Sequence, residues 1–152
     1  MGRLARIRAA TTLEELYAEI PQPVGCTGQC WESCGPIGFS VEEGRRMEAA
    51  GVKVPNANEA RLDLYCPALG KDRCCMVYEV RPVLCRVWGV SEPMPCPVDG
   101  CFAPFPLDAI ETQELLRKSL EIGGDQLKSF YDSTLGGVRD VIRKGLKDMG
   151  RD

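Results

Sequence analysis

CPALGKDRCCMVYEVRPVLC, Cys66 to Cys85, places four cysteines in twenty residues around an Arg-Pro step. Arg61 to Leu69 and Cys74 to Glu79 read as two short strands joined by a Gly-Lys-Asp turn, which predicts a β-hairpin. Pro82 then suits the first turn of a short helix carrying Cys85 and Arg86. The rest of the chain reads as what supports or completes this stretch.

At 152 residues the chain is long enough to bury a core, so its cysteines are not needed merely to rescue a miniature fold. A net charge of -3 gives no field that would gather nucleic acid, and Arg3, Arg6 and Arg8 read as a solvated helix face. No run of about 18 apolar residues suggests a membrane span. The start, MGRLARIRAATTLEEL, has no continuous apolar core of a signal peptide, so a cytoplasmic protein is expected.

Nine cysteines stand in a chain without histidine. In a reducing compartment such density points to metal binding ahead of a disulfide framework, and an odd count leaves one thiol over in any all-disulfide scheme. The missing imidazole excludes Cys-His and Ser-His-Asp catalysis and His-based catalytic zinc.

Outward from the central stretch, Thr12 to Glu15 is a capping box opening a helix over 12–20, stopped by Pro21 and Pro23. Residues 3–10 allow a further helical turn or two. VGCTGQCWESCGPIG, residues 24–38, reads as a loop folded around something. Ser40 to Glu43 is a second capping box, starting a helix to about Ala50 that Gly51 ends; residues 52–61 are a linker. SEPMPCPVDGCFAPFP, residues 91–106, holds five prolines and reads as irregular, tethered by Cys96 and Cys101. Asp108 with Glu111 is a third capping box, for a helix to about Ile122 broken by Gly123-Gly124. Asp125 then opens a last helical region in which Leu127, Phe130, Tyr131, Leu135, Val138, Ile142, Leu146 and Met149 keep to one face, with a break near 136.

The fold expected is a small α+β metal-stabilised domain with a short hairpin, irregular cysteine-rich loops and packed helices. Its segments are an N-terminal helical part (1–23), a cysteine-cluster region (24–105) and a C-terminal helical part (106–152).

Cys26, Cys30 and Cys34 have three residues between neighbours, and no pair in the chain has the C-x2-C spacing of a zinc knuckle. Thiolates gathered from separate loops suit an iron-sulfur cluster, or one or two zinc ions held by four thiolates each. Cys74 reads as a buried thiol of the hairpin more than a ligand. Tyr78, Trp31 and Trp88 read as packing around the centre. Arg81 and Arg86 are candidates to offset thiolate charge, the alternative being surface ion pairs with Glu79 or Glu92.

These motifs resemble the YkgJ-type cysteine-cluster family, described as zinc- or iron-chelating proteins and named for a CxxxCxxCC motif. Cys26, Cys30, Ser33 and Cys34 match that motif, and Val41-Glu42-Glu43 matches the acidic segment after it. Cys66 matches the isolated cysteine. Cys75, Val77, Tyr78, Arg81, Pro82, Cys85 and Arg86 match C-x-[IV]-[YF]-x-x-R-P-x-x-C-R, and Cys96 falls at the last expected cysteine. The likeness covers residues 24–101. Two departures stand out: Ser33 replaces a family cysteine, and Cys74 and Cys101 are extra. Serine is a poor ligand for a soft metal, so Cys101 is expected to supply the missing thiolate.

The metal ligands expected are therefore Cys26, Cys30, Cys34, Cys66, Cys75, Cys85, Cys96 and Cys101. The resemblance has an iron-linked branch in flagellin lysine methylases, which together with the missing C-x2-C favours a [4Fe-4S] cluster over Zn2+. The leading reading is a structural or redox metal protein. One alternative is a metal-stapled assembly subunit docking a protein partner through its C-terminal helices. The other is a methyltransferase-related enzyme, against which stand the short chain and the absence of a nucleotide-binding glycine fingerprint.

Overall fold

Each of the three capping boxes starts a helix in the computed structural model, which describes residues 1–35, 37–53 and 66–125. In chain order the elements are α1 (Arg3–Ala9), α2 (Leu13–Ala18), α3 (Val41–Ala49), α4 (Val83–Val87), β1 (Val90–Ser91), β2 (Met94–Pro95) and α5 (Ala109–Gly123). Single 3-10 turns lie at Trp31–Ser33 and Tyr78–Val80. The described residues thus combine helices with a two-stranded antiparallel hairpin, an α+β arrangement.

Thr12, Ser40 and Asp108 each accept from the backbone N–H three residues on, and the glutamate there accepts from the cap's own N–H. At the far end of α3, Gly51 has φ +95°. Its N–H donates to Glu48 O at 2.9 Å and the Val52 N–H to Met47 O at 3.1 Å, so left-handed glycine geometry closes the helix and seats Val52 on Met47. Gly123 ends α5 against Ser40, where any Cβ would overlap the serine side chain. The end of α5 is thereby locked to the start of α3, and Val41 N–H donates to Gly124 O at 2.9 Å.

Helix α5 touches α1, α2, α3 and α4. Leu115 on α5 joins Ile7, Leu13, Leu16, Val83, Val87 and Leu107 in the main core, each such side chain contributing about 1.5–3 kcal/mol through burial. A second cluster of Met47, Val52, Ala68 and Val77 packs beside Cys66 and Cys75. The N-terminal arginines, expected as a solvated face, instead make ion pairs. Arg3 meets Glu111 at 3.1 Å and Arg8 meets Glu114 at 3.7 Å, tying α1 to α5, while Arg6 meets Glu19 at 2.8 Å.

The hairpin lies elsewhere than expected. Around the Gly-Lys-Asp segment there is a tight turn with one bridge, Leu69 to Cys75, closed by Gly70 N–H to Cys74 O at 2.8 Å. Residues 78–80 then coil into a 3-10 turn in place of a strand. The Arg86 guanidinium donates to Glu79 O at 2.6 Å and Arg81 O at 2.7 Å, drawing this backbone into a tight bend. The paired strands are β1 and β2, inside the proline-rich stretch expected to be irregular, with Val90 opposite Pro95 and Ser91 opposite Met94. Pro95 is tolerated because β2 is an edge that needs no further N–H, and β1 bonds Leu107 on its other side. Of the expected first strand, residues 61–65 lie outside the described residues. The C-terminal helical region beyond Asp125 lies outside them too.

Glu43 joins these parts. It is 1% exposed, and its Oε2 accepts from Ser40 N–H at 2.8 Å and Ser40 Oγ–H at 2.9 Å. Its Oε1 accepts from Val83 N–H at 2.7 Å and Tyr17 O–H at 3.3 Å. Burial and the Glu43 charge hold the Tyr17 phenol above its ordinary range. Replacing Glu43 strands buried donors on three elements. Glu43→Ala is expected to cost about 2–4 kcal/mol in chemical denaturation, against less than about 0.5 kcal/mol for the half-exposed Glu42→Ala.

Candidate metal centre

The upstream loop and the proline-rich loop meet in a narrow backbone bridge. Val24 N–H donates to Phe102 O at 2.8 Å and Phe102 N–H to Val24 O at 3.0 Å. Gly25, at φ +70°, lies so close to the Gly100 carbonyl that a Cβ there would overlap it. This contact brings Cys26 and Cys101, far apart in sequence, to one place. Cys96 arrives beside them from the end of β2, and a Cβ on Gly89 would lie 3.4 Å from the Cys96 Cβ.

The second group is built from the turn around Gly70. Leu69 N–H donates to Cys66 O at 3.1 Å and the bridge from Leu69 to Cys75 closes the turn, so Cys66 and Cys75 share one face over the Met47 cluster. Cys85 is delivered by α4. Cys30 and Cys34 flank the 3-10 turn Trp31–Ser33 and link the two groups. All of these cysteines line one cleft of about 570 Å3, together with Trp31, Tyr78, Arg81 and Trp88.

Electrostatics sorts the thiols. Burial first, and then the neighbouring Cys66 and Cys75, push the Cys85 thiol up to about 12. Cys34 is raised by burial and then by Cys66, Cys30 and Cys75. Cys66 is raised by burial, with Cys75 adding to it. On the other side, Cys30 is raised by burial and then by Cys26 and Cys96. The adjoining Cys96 thiol, then burial, then Cys26 hold Cys101 well above the ordinary thiol range. Cys66, Cys75 and Cys85 thus lie together, Cys26, Cys96 and Cys101 lie together, and Cys30 and Cys34, the one acting on the other, join the two groups. Among the described residues, no three thiol or carboxylate groups already stand in an arrangement that would grip a metal ion. The groups are neighbourhoods rather than closed cages.

Cys74 stands apart. Its thiol is exposed, 3.8 Å from Asp72 O, and its N–H donates to Asp72 Oδ1 at 3.1 Å; the sequence reading had it buried. It nevertheless lines the cleft together with the other eight cysteines. Ser33 is exposed, and Cys101 lies with Cys26 and Cys96.

The two arginines part ways. Arg86 is spent on the backbone of residues 79–81 and stacks on the Tyr17 ring at 4.1 Å. Arg81 stacks on Tyr78 at 3.5 Å, and its Nε is buried without a hydrogen-bond partner. Its charge acts on Cys30 and on Cys85, favouring the thiolate in both. Neither arginine makes an ion pair with Glu79 or Glu92. Arg73, at φ 65°, lies over Trp31 at 4.4 Å, pinning the Gly70 turn to the upstream loop. Sequence reading missed that contact and the glycine approach at Gly25, since neither has a local signal.

In comparisons with known proteins, no family model, curated protein or solved structure matches this chain. No helix among the described residues is long and apolar enough to cross a membrane.

These environments predict an order of thiol reactivity in the reduced, metal-free chain. With a pKa near 12, Cys85 holds only about one part in ten thousand as thiolate at pH 8. Iodoacetamide labelling followed by peptide mass mapping is expected to modify exposed Cys74 and Cys26 first and Cys85 last, more than about tenfold slower than Cys74. Equal rates at Cys74 and Cys85 would contradict the cleft described.

Proposed function

We propose that the protein is a metal-thiolate protein in which the cysteine-lined cleft carries iron-sulfur, in a structural or redox role. The observation that supports this is the gathering of all nine thiols, from four separated segments, into one cleft with an unpaired guanidinium nitrogen among them. Thiols in that number with no imidazole make a soft donor set, the kind taken by iron-sulfur clusters and by structural zinc. The fit to such a group is good in number and in chemistry. Four thiolates with a doubly charged ion or cluster keep a net negative charge, which Arg81 is placed to offset.

A cluster is favoured over a lone zinc ion by the missing C-x2-C spacing and by the iron-linked branch of the resembling family. When bound, such a group would cross-link the loops and supply a one-electron redox centre. The chain's own part is to bring loop, turn and helix together and to shield the thiols with Trp31, Tyr78 and Trp88.

Anaerobic purification is expected to give a brown protein with broad visible absorption and matching iron and acid-labile sulfide. Stripping the iron should lower the melting temperature, because the bound group stabilises only the folded chain. A colourless protein with stoichiometric zinc would replace iron-sulfur by zinc in this reading, and one that takes up neither metal would end it.

A further inference from the structure

The described arginines fall into two classes. Arg3, Arg6, Arg8, Arg45, Arg46 and Arg117 each meet a glutamate at 3.7 Å or less. Arg73, Arg81 and Arg86 make no ion pair among the described residues, and all three line the cysteine cleft. Each lies instead over an aromatic ring of the same lining: Arg73 over Trp31 at 4.4 Å, Arg81 over Tyr78 at 3.5 Å and Arg86 over Tyr17 at 4.1 Å. Among the described residues, no aspartate or glutamate lines the cleft. In a chain whose net charge is -3, this one hollow is cationic and aromatic.

A guanidinium stacked on a ring directs its N–H edge sideways, toward an acceptor in its own plane. Arg86 spends that edge on the carbonyls of Glu79 and Arg81. Arg81 has no such acceptor, and its Nε is buried without one. A buried charged donor left in that state is costly unless an acceptor arrives from outside the chain.

We propose that this cleft binds a small organic oxyanion, a carboxylate or phosphate carried on an aromatic body, with the charged group on Arg81 and the ring against the aromatic lining. The volume of about 570 Å3 is that of a small-molecule site. The planar fork of a guanidinium suits the two oxygens that either head group offers. A metal centre does not use up the charge: four thiolates about one doubly charged ion or cluster leave two negative charges, against three guanidiniums. The anion site therefore stands beside the metal-thiolate reading and does not depend on it.

The test compares 2-naphthoate and 2-naphthyl phosphate with neutral 2-naphthamide, titrated calorimetrically into the full chain under reductant, before and after addition of zinc. At least one of the two anions is expected to bind about tenfold or more tightly than the amide, with an affinity that falls as salt is raised; the tighter of the two identifies the head group. Binding should shift the indole N–H resonances of Trp31 and Trp88, the two tryptophans of the chain, both in the cleft lining. Arg81→Gln is expected to abolish the preference for the anion while affinity for the amide persists. Arg117→Gln, outside the cleft, should change neither.

Equal affinity for anion and amide, or a preference that survives Arg81→Gln, would overturn the proposal. So would loss of anion binding on zinc uptake, because the guanidiniums would then serve the metal alone. A chain that binds the anion but takes up neither iron-sulfur nor zinc would end the metal-thiolate reading and leave this site standing. A chain that takes up metal without telling anion from amide would do the reverse. If Arg81→Gln does not fold, the anion-to-amide ratio and the indole shifts of the unaltered chain decide the matter.

Discussion

The buried carboxylate of Glu43 accepts hydrogen bonds from a helix cap, a phenol and the first N–H of another helix. That one side chain fixes where α4 begins relative to α2 and α3, and α4 carries Cys85 and starts just beyond the Arg81-Pro82 step. A buried carboxylate is tolerated only when its acceptor sites are filled, and here both oxygens are. The position of the central cysteine stretch against the helices therefore depends on an acidic residue outside that stretch.

Helix α5 supplies the floor. Its capping box sets its start next to Leu107, which pairs with β1, and its glycine end presses on Ser40, the cap that Glu43 also binds. Core and cleft are thus coupled: a shift of α5 would move Ser40, then Glu43, then α4. The thiol-bearing loops sit on this frame through few contacts of their own, the Val24 to Phe102 bridge and the Arg73 to Trp31 stack among them. Loops so lightly held gain from a cross-link, which is the physical reason a metal would matter to the stability of this chain.

The charge balance inside the cleft follows the same logic. Burial raises the Cys30, Cys34, Cys66 and Cys85 thiols, which favours their neutral form. The Arg81 charge acts the other way on Cys30 and Cys85, while Arg86 is bound to carbonyls and shapes the turn. Two arginines in one R-P-x-x-C-R motif thus serve different ends, one electrostatic and one conformational.

What the sequence determined by itself was local. All three capping boxes, the glycine stop after α3, the Gly123-Gly124 break and the short helix after Pro82 were legible, because each depends on hydrogen bonds within a few residues or on the fixed φ of proline. Eight cysteines could be named as candidates from spacing and resemblance, and all nine of the chain line one cleft, which does not single those eight out. Local propensity misplaced the hairpin, since side-chain bonds from Arg86 bend residues 79–81 and pairing with Leu107 rescues a proline-rich stretch. The tertiary structure alone decided that Glu43 ties three elements together, that Cys74 is exposed, and that cysteines from four separated segments line one cleft. Those outcomes rest on contacts between residues distant in the chain, whose geometry no local pattern encodes.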